Sequence, residues 1–286
     1  MPSLTIIKAG LMSSIQDSGR KGWMYYAIPR SGAMDTRTAT QALELLGKNW
    51  SDPVLECTGI APYLCFHQPT TIALSGADFG WVLNGEKIPI NRCIEVPTNS
   101  MLKGKGAKNG WRGYLAIQGK LKLPMAYGSF ATYAPAQIGG YEGRYLRAGD
   151  ILEWEEEKNV APIHCLTTPT IESSRIPIRK GPEFSYLEAS AQQLLTTTNY
   201  KISTDSNRMG IRLSGVPLQA STYQLKHSLP ILAGFIQLPP SGLPIIILQD
   251  GQISGGYPRI AYVPPRFLGT LSQIPLGGSL QFELIS

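Results

Sequence analysis

Short runs of apolar residues, many alternating with polar ones and closed by glycine, proline or asparagine, recur along the chain and predict strands rather than helices. "TTIALSG" (70–76), "RGYLAIQG" (112–119) and "GDILEWE" (149–155) read this way in the first half. "GIRLSG" (210–215), "PIIIL" (244–248), "RIAYV" (259–263) and "GSLQFELI" (278–285) do so in the second. "WVLNGEKIPI" (81–90) turns on Asn84-Gly85, a pair that accepts positive φ at both central positions and so predicts a two-residue hairpin.

Helical spacing stands out twice. In "DTRTATQALELLG" Asp35 is placed to cap, Ala39, Ala42, Leu43 and Leu46 share a face, and Gly47 ends the run. In "FSYLEASAQQLL" Ser185 and Glu188 form a capping-box pattern ahead of Leu187, Ala191, Leu194 and Leu195. Both are expected to be packing elements.

"RAGDILEW" (147–154) echoes "PLGGSLQFEL" (275–284), each a Gly-rich turn before a strand. The charged "EWEEEKNVAP" (153–162) between them reads as a linker, which divides the chain at 1–160 and 161–286. The expected fold is mostly β, in two barrel or sandwich domains with few helices. The 30 glycines and 22 prolines, spread along the chain, agree with many tight turns.

Charge adds a partner class. No acid lies between Glu95 and Glu142, a span holding Lys103, Lys105, Lys108, Arg112, Lys120 and Lys122. A basic face of this kind draws carboxylates, phosphates or an acidic protein. Nucleic acid is not expected, because no reader motif or basic-aromatic stripe is present. Cys57, Cys65, Cys93 and Cys165 form no metal-like spacing with His67, His164 or His227, so free thiols and no metal are expected. The N-terminus shows no secretory pattern and no apolar run reaches membrane length, so a cytoplasmic protein is expected.

Common catalytic signatures are missing. "GKGAKNG" (104–110) matches neither dinucleotide nor P-loop spacing, and no G-x-S-x-G elbow occurs. What remains is a set of polar clusters bounded by glycine. They are "IQDSGR" with Gln16, Asp17 and Arg20; "SGAMD" with Ser31 and Asp35; and "LSGADF" with Asp78. Later come "GGYEGR" with Arg144, "SNRMGIR" with Arg208 and Arg212, and "QDGQISGGYPRIA" with Asp250, Gln252, Tyr257 and Arg259, preceded by Gln237. Arginine forks suit carboxylate or phosphate, so Arg20, Arg144, Arg208 and Arg212 are candidate oxyanion clamps. Asp78 and Asp250 are candidate general bases or orienting groups. Gln237 and Gln252 can both donate to and accept from a lactam or urea-like group.

Taken together, "GLMSSIQDSGR", "SGAMD", "LSGADF", "RGYLAIQG", "GSFAT", "GGYEGR", "AGDIL", "SNRMGIRLSG", "GFIQLPPSGLPIIIL" and "GGYPRIA" carry a resemblance over nearly the whole chain. The sequence resembles the C-type subunit family of bacterial 5-oxoprolinase, also described as allophanate hydrolase subunit 2 or the biotin-dependent carboxyltransferase family. It departs at Lys120, where the family usually has a second glycine, and at Ile253 and Ser254, where threonines are usual.

The resemblance implies two cyclophilin-like β-barrel domains. It also implies a B-type partner subunit, a metal-linked A-type subunit, and ATP-dependent opening of 5-oxo-L-proline to L-glutamate. Two other readings follow from it. One is carboxyl transfer to urea or a similar amide, with biotin supplied on a separate chain, since no biotinyl domain is present here. The other is a non-catalytic regulator that binds a kinase-inhibitor-like partner.

Overall fold

Local turn chemistry acts as the sequence predicts. Asn84 and Gly85 take φ of 51° and 99° and close a hairpin between Val82–Leu83 and Glu86–Lys87. The computed structural model describes residues 1–157 and 174–285, so His164, Cys165 and the boundary expected near residue 160 lie outside the described residues.

Two units are distinguished by their internal contacts. The first comprises Met1–Lys21 and the described chain from Ser31 to Glu157; the second comprises Gly22–Arg30 and the described chain from Ser174 onward.

In chain order the first unit has strands β1 (Ser3–Lys8), β2 (Met12–Gln16), β3 (Val54–Thr58), β4 (Tyr63–Phe66), β5 (Thr70–Asp78), β6 (Val82–Leu83) and β7 (Glu86–Lys87). It continues with β8 (Cys93–Val96), β9 (Ser100–Lys103), β10 (Lys108–Ile117), β11 (Lys120–Leu121) and β12 (Ile151–Glu155). Helix α1 (Thr36–Leu45) connects β2 to β3. One sheet runs β11-β12-β1-β4-β9-β6-β7 and the other β2-β3-β10-β5-β8.

Alternation sorts the five-stranded sheet into two buried faces. Ile15, Leu55, Leu74 and Leu115 meet Leu4, Phe66, Leu102 and Trp154 of the other sheet in the main core. On the opposite face Val54, Ala73, Tyr114 and Ala116 pack under Ala39, Ala42 and Leu43 of α1. Cys57 sits within the main core, where burial pushes its thiol up to about 12; it is a packing residue.

The second unit holds β13 (Arg175–Lys180), β14 (Asn199–Ile202), β15 (Gly210–Ser214), β16 (Leu229–Pro230), β17 (Phe235–Gln237), β18 (Ile245–Ile247), β19 (Ser254–Gly255), β20 (Arg259–Tyr262) and β21 (Ser279–Leu284). Seven of them close a barrel in the order β13-β20-β17-β18-β15-β14-β21. Ile176, Ile178, Ile211, Ile236, Ile246, Ile260 and Leu280 are buried among them.

The capping-box expectation at Ser185 needs correction. Phe184–Tyr186 forms a 3-10 turn, and helix α2 begins only at Ala189 and runs to Thr197, with Glu188 as an N-cap that makes no side-chain cap bond. The backbone of 186–188 is already committed to the segment 219–221: Ser221 N donates to Tyr186 O and Glu188 N to Gln219 O. A third helix, α3 (Pro265–Ser272), follows β20. No helix among the described residues is long and apolar enough to cross a membrane.

Candidate functional site

Register builds a polar row under the start of α1. Ser14 pairs with Glu56, Glu56 with Tyr114 and Tyr114 with Ser75, so all four side chains share the helix-facing side. Tyr114 Oη donates to Glu56 Oε2 at 2.9 Å and accepts the Asp35 N–H at 2.8 Å. Met34 N donates to the same Glu56 Oε2 at 2.9 Å, and Arg112 Nε lies 4.0 Å from Glu56 Oε1. Burial, then the charges of Glu56 and Asp35, push the Tyr114 phenol well above its ordinary value. Asp35 caps α1, accepting from Thr38 N at 3.2 Å and Thr38 Oγ1 at 2.6 Å.

A second buried knot gathers three of the glycine-bounded stretches and the "GSFAT" segment. Asp17 Oδ1 accepts from Gly19 N and Ser129 Oγ, both at 2.7 Å, and Oδ2 accepts from Phe130 N at 2.6 Å. The Asp17 carbonyl takes the Ala33 N–H at 3.0 Å, which seats the "SGAMD" loop. Gly32 has φ of 91° there, and a Cβ on it would stand 2.9 Å from that carbonyl oxygen. The Arg20 guanidinium donates to the carbonyls of Ala131 and Ile138. It lies where a Cβ on Gly139 would intrude. Gln16 Nε2 donates to Ser14 Oγ at 2.9 Å and Thr132 O at 3.4 Å. Gln16 Oε1 and Ser31 Oγ are buried with no hydrogen-bond partner among the described residues.

The remaining first-unit candidates are placed locally. Asp78 closes a turn through Gly80 N at 2.7 Å. Arg144 reaches Asp150 by two bonds of 2.7 and 2.9 Å and Glu142 at 2.6 Å. Those bonds from Arg144 outweigh burial and hold the Asp150 carboxyl below its ordinary range.

In the second unit a row forms on the outside of the barrel. Gln237 pairs with Arg259 on one side and Ile245 on the other, and Ile245 pairs with Arg212. Residues directly opposite one another share a face, so Arg259, Gln237, Ile245 and Arg212 line up across β20, β17, β18 and β15. Their neighbours Ile236, Ile246 and Ile211 point the other way and are buried. A Cβ on Gly255 would lie 3.0 Å from Gln237 Nε2 and 3.3 Å from Gln252 Nε2, so the two amides flank one glycine. Gln237 Nε2 also donates to Tyr257 O at 3.4 Å.

The cations of this unit differ in what holds them. Arg259 grips Glu183 through Nε–Oε2 of 3.0 Å and Nη2–Oε1 of 2.8 Å. Burial raises the Glu183 carboxyl, but the Arg259 bonds and charge outweigh it and keep it below the usual range. Arg208 and Asp250 form a buried pair, Nε–Oδ2 2.8 Å and Nη2–Oδ1 3.2 Å. The Arg212 side chain is exposed.

The structure thus brings Gln16, Asp17, Arg20, Ser31 and Asp35 together in one unit. It brings Gln237, Gln252 and Tyr257 together in the other, with Arg259 beside Gln237 and Arg212 two strands further along the row. The bonds of Asp78 and Arg144 run instead to Gly80, Glu142 and Asp150. Sequence reasoning missed Glu56 and Tyr114. The signal available was a carboxylate inside the otherwise apolar "VLECT" run, a placement that requires a buried partner.

Residues 26–284 match the carboxyltransferase domain family, subdomain A and B. The chain is 33% identical to the C-type subunit of 5-oxoprolinase from Escherichia coli, across 98% of this chain and 90% of that protein. It is 30% identical to the urea amidolyase of Saccharomyces cerevisiae, across 99% of this chain but 17% of that protein. The crystal structure of the K. lactis urea amidolyase superposes with a TM-score of 0.91 at 28% identity, covering 99% of this chain and 19% of that one. This chain therefore spans only about a fifth of that relative.

Proposed function

The chain belongs to the carboxyltransferase domain family, and from that membership we propose that it is the C-type subunit of an ATP-dependent 5-oxoprolinase. One observation carries the reading. The match to the E. coli C-type subunit runs nearly end to end in both proteins, whereas the urea amidolyase match uses a small part of that enzyme. The reaction opens the lactam of 5-oxo-L-proline with water to give L-glutamate, with ATP consumed as co-substrate. The B-type subunit shares the activation of the lactam, an A-type subunit makes up the rest of the complex, and the assembly is cytoplasmic.

The outer barrel row supplies chemically suited groups, with Gln237 buried and Arg212 exposed. The exposed Arg212 guanidinium offers a charge-assisted fork to the substrate carboxylate. The Gln237 and Gln252 amides can donate to the lactam C=O and accept from its N–H. Gly255 lacks the side chain that would fill the space between them. Arg259 is held rigid by Glu183 and orients the row.

The test reconstitutes the chain with the A-type and B-type homologues encoded in the same genome and follows ADP and glutamate release as 5-oxoproline is added. Absence of substrate-dependent turnover by the full complex rejects the reading. Carboxyl transfer to urea or a related amide is the second reading, favoured by the fold match to urea amidolyase. It requires a biotin carrier. Urea-dependent, biotin-dependent ATP consumption in the same assay identifies it.

A further inference from the structure

At one rim of the second unit's barrel, the end of β13, the start of β17, the end of β20 and the first residue of α3 border an open cavity of about 530 Å³. That volume lies within the range of small-molecule sites. Its wall is almost entirely apolar: Leu232, Phe235, Tyr262, Val263 and Pro265 line it. Phe235 and Tyr262 are paired across strands with ring centroids 6.1 Å apart and planes tilted 57° to each other, and form an aromatic side. Lys180 is the charged residue in the lining, and no acid is among the described lining residues.

The charge of the lining itself is positive. Lys180 Nζ is held 4.8 Å from the Phe184 ring centre, which keeps the ammonium at the cavity edge. The Arg259 guanidinium lies 5.4 Å from the centre of the Phe235 ring. The nearby acid Glu183 is already taken by Arg259 through two side-chain bonds. Helix α3 starts at Pro265, itself a lining residue, with no side chain capping its first turn, so the positive end of its dipole lies at this corner. An apolar body seated between Phe235, Tyr262 and Leu232 would leave an attached anionic group beside Lys180.

We propose that this rim cavity binds a small organic carboxylate with an apolar, ring-sized body. It is a site separate in chemistry from the amide-lined row assigned to the lactam, and it stands whether or not the 5-oxoprolinase reading holds.

The test titrates the full chain with phenylacetate and with its neutral counterpart 2-phenylethanol, following heat by calorimetry. Saturable one-to-one binding of phenylacetate, tighter than that of the alcohol, is expected. Lys180→Met should weaken phenylacetate about tenfold or more, the loss of one charge-assisted contact, and leave the alcohol unchanged. Leu232→Asp, at a side chain 52% exposed and so tolerant of change, should weaken both. No saturable binding overturns the proposal, as does binding that neither variant alters. Equal loss of both ligands in Lys180→Met overturns the carboxylate assignment.

Discussion

Arg208 and Asp250 stand 42 positions apart and bind each other through two hydrogen bonds with both side chains almost fully out of water. In the sequence each looks available for a ligand, one as an oxyanion clamp and the other as a base. In the fold each is the other's partner. Their work is to tie the turn after β18 to the turn before β15.

Breaking that pair strands a buried charge. Arg208→Ala or Asp250→Ala should cost about 3–5 kcal/mol of stability. The double change Arg208→Met/Asp250→Leu should recover much of the loss, since it removes both charges together. Urea denaturation of the three variants checks this. Single variants as stable as the parent would show that the pair contributes nothing.

Tyr114→Phe removes the hydroxyl that accepts from Asp35 N and donates to Glu56. Two buried groups lose a partner, so a loss of about 1–3 kcal/mol is expected in thermal or chemical unfolding. Glu56→Gln should be milder than Glu56→Ala, because the amide oxygen can still accept from Met34 N and Tyr114.

Asp150 has a folded-state carboxyl held below its ordinary value of 3.8 by Arg144. A depressed acid contributes stability that is fully present above the unfolded value and disappears as pH falls through the folded one. Stability should therefore decline from about pH 4 downward, and Arg144→Gln should flatten that decline. Unfolding curves on the acid side of neutrality read the difference; parallel slopes in both proteins would remove Asp150 from the account.

Arg212 is exposed, and its substitution should leave stability within about 0.5 kcal/mol. On the proposed reading, Arg212→Ala raises KM for 5-oxoproline by roughly ten- to a hundredfold, the value of one charged hydrogen bond. Steady-state kinetics of the reconstituted complex provide the check. An unchanged KM would take the residue out of the site.

Gly255→Ala places a Cβ 2.7 Å from Ile231 Cδ1 and 3.0 Å from Gln237 Nε2. The amides would have to part, so kcat/KM should fall more than stability does. Equal effects on both would mark the glycine as structural alone.

The chain's local chemistry was legible because neighbours in sequence supply it. Asn84-Gly85 makes its hairpin, Asp35 caps its helix, and short runs between turn formers become strands. The same reasoning slipped at Ser185, where the backbone bonds of 186–188 with 219–221 delay the helix to Ala189. It also passed over α3, an eight-residue helix whose buried face rests on Leu268 and Leu271.

What the sequence determined by itself was the mostly β architecture, the turns and the residue types able to meet a carboxylate or an amide. Tertiary structure alone decided which of those residues remain available. Arg20 and Arg212 carry the same guanidinium, yet one is sealed against the carbonyls of Ala131 and Ile138 while the other stays in water. The alignment of Arg259, Gln237, Ile245 and Arg212 depends on strand register across the barrel. Register is set by how distant segments pair, and no local run of residues encodes that pairing.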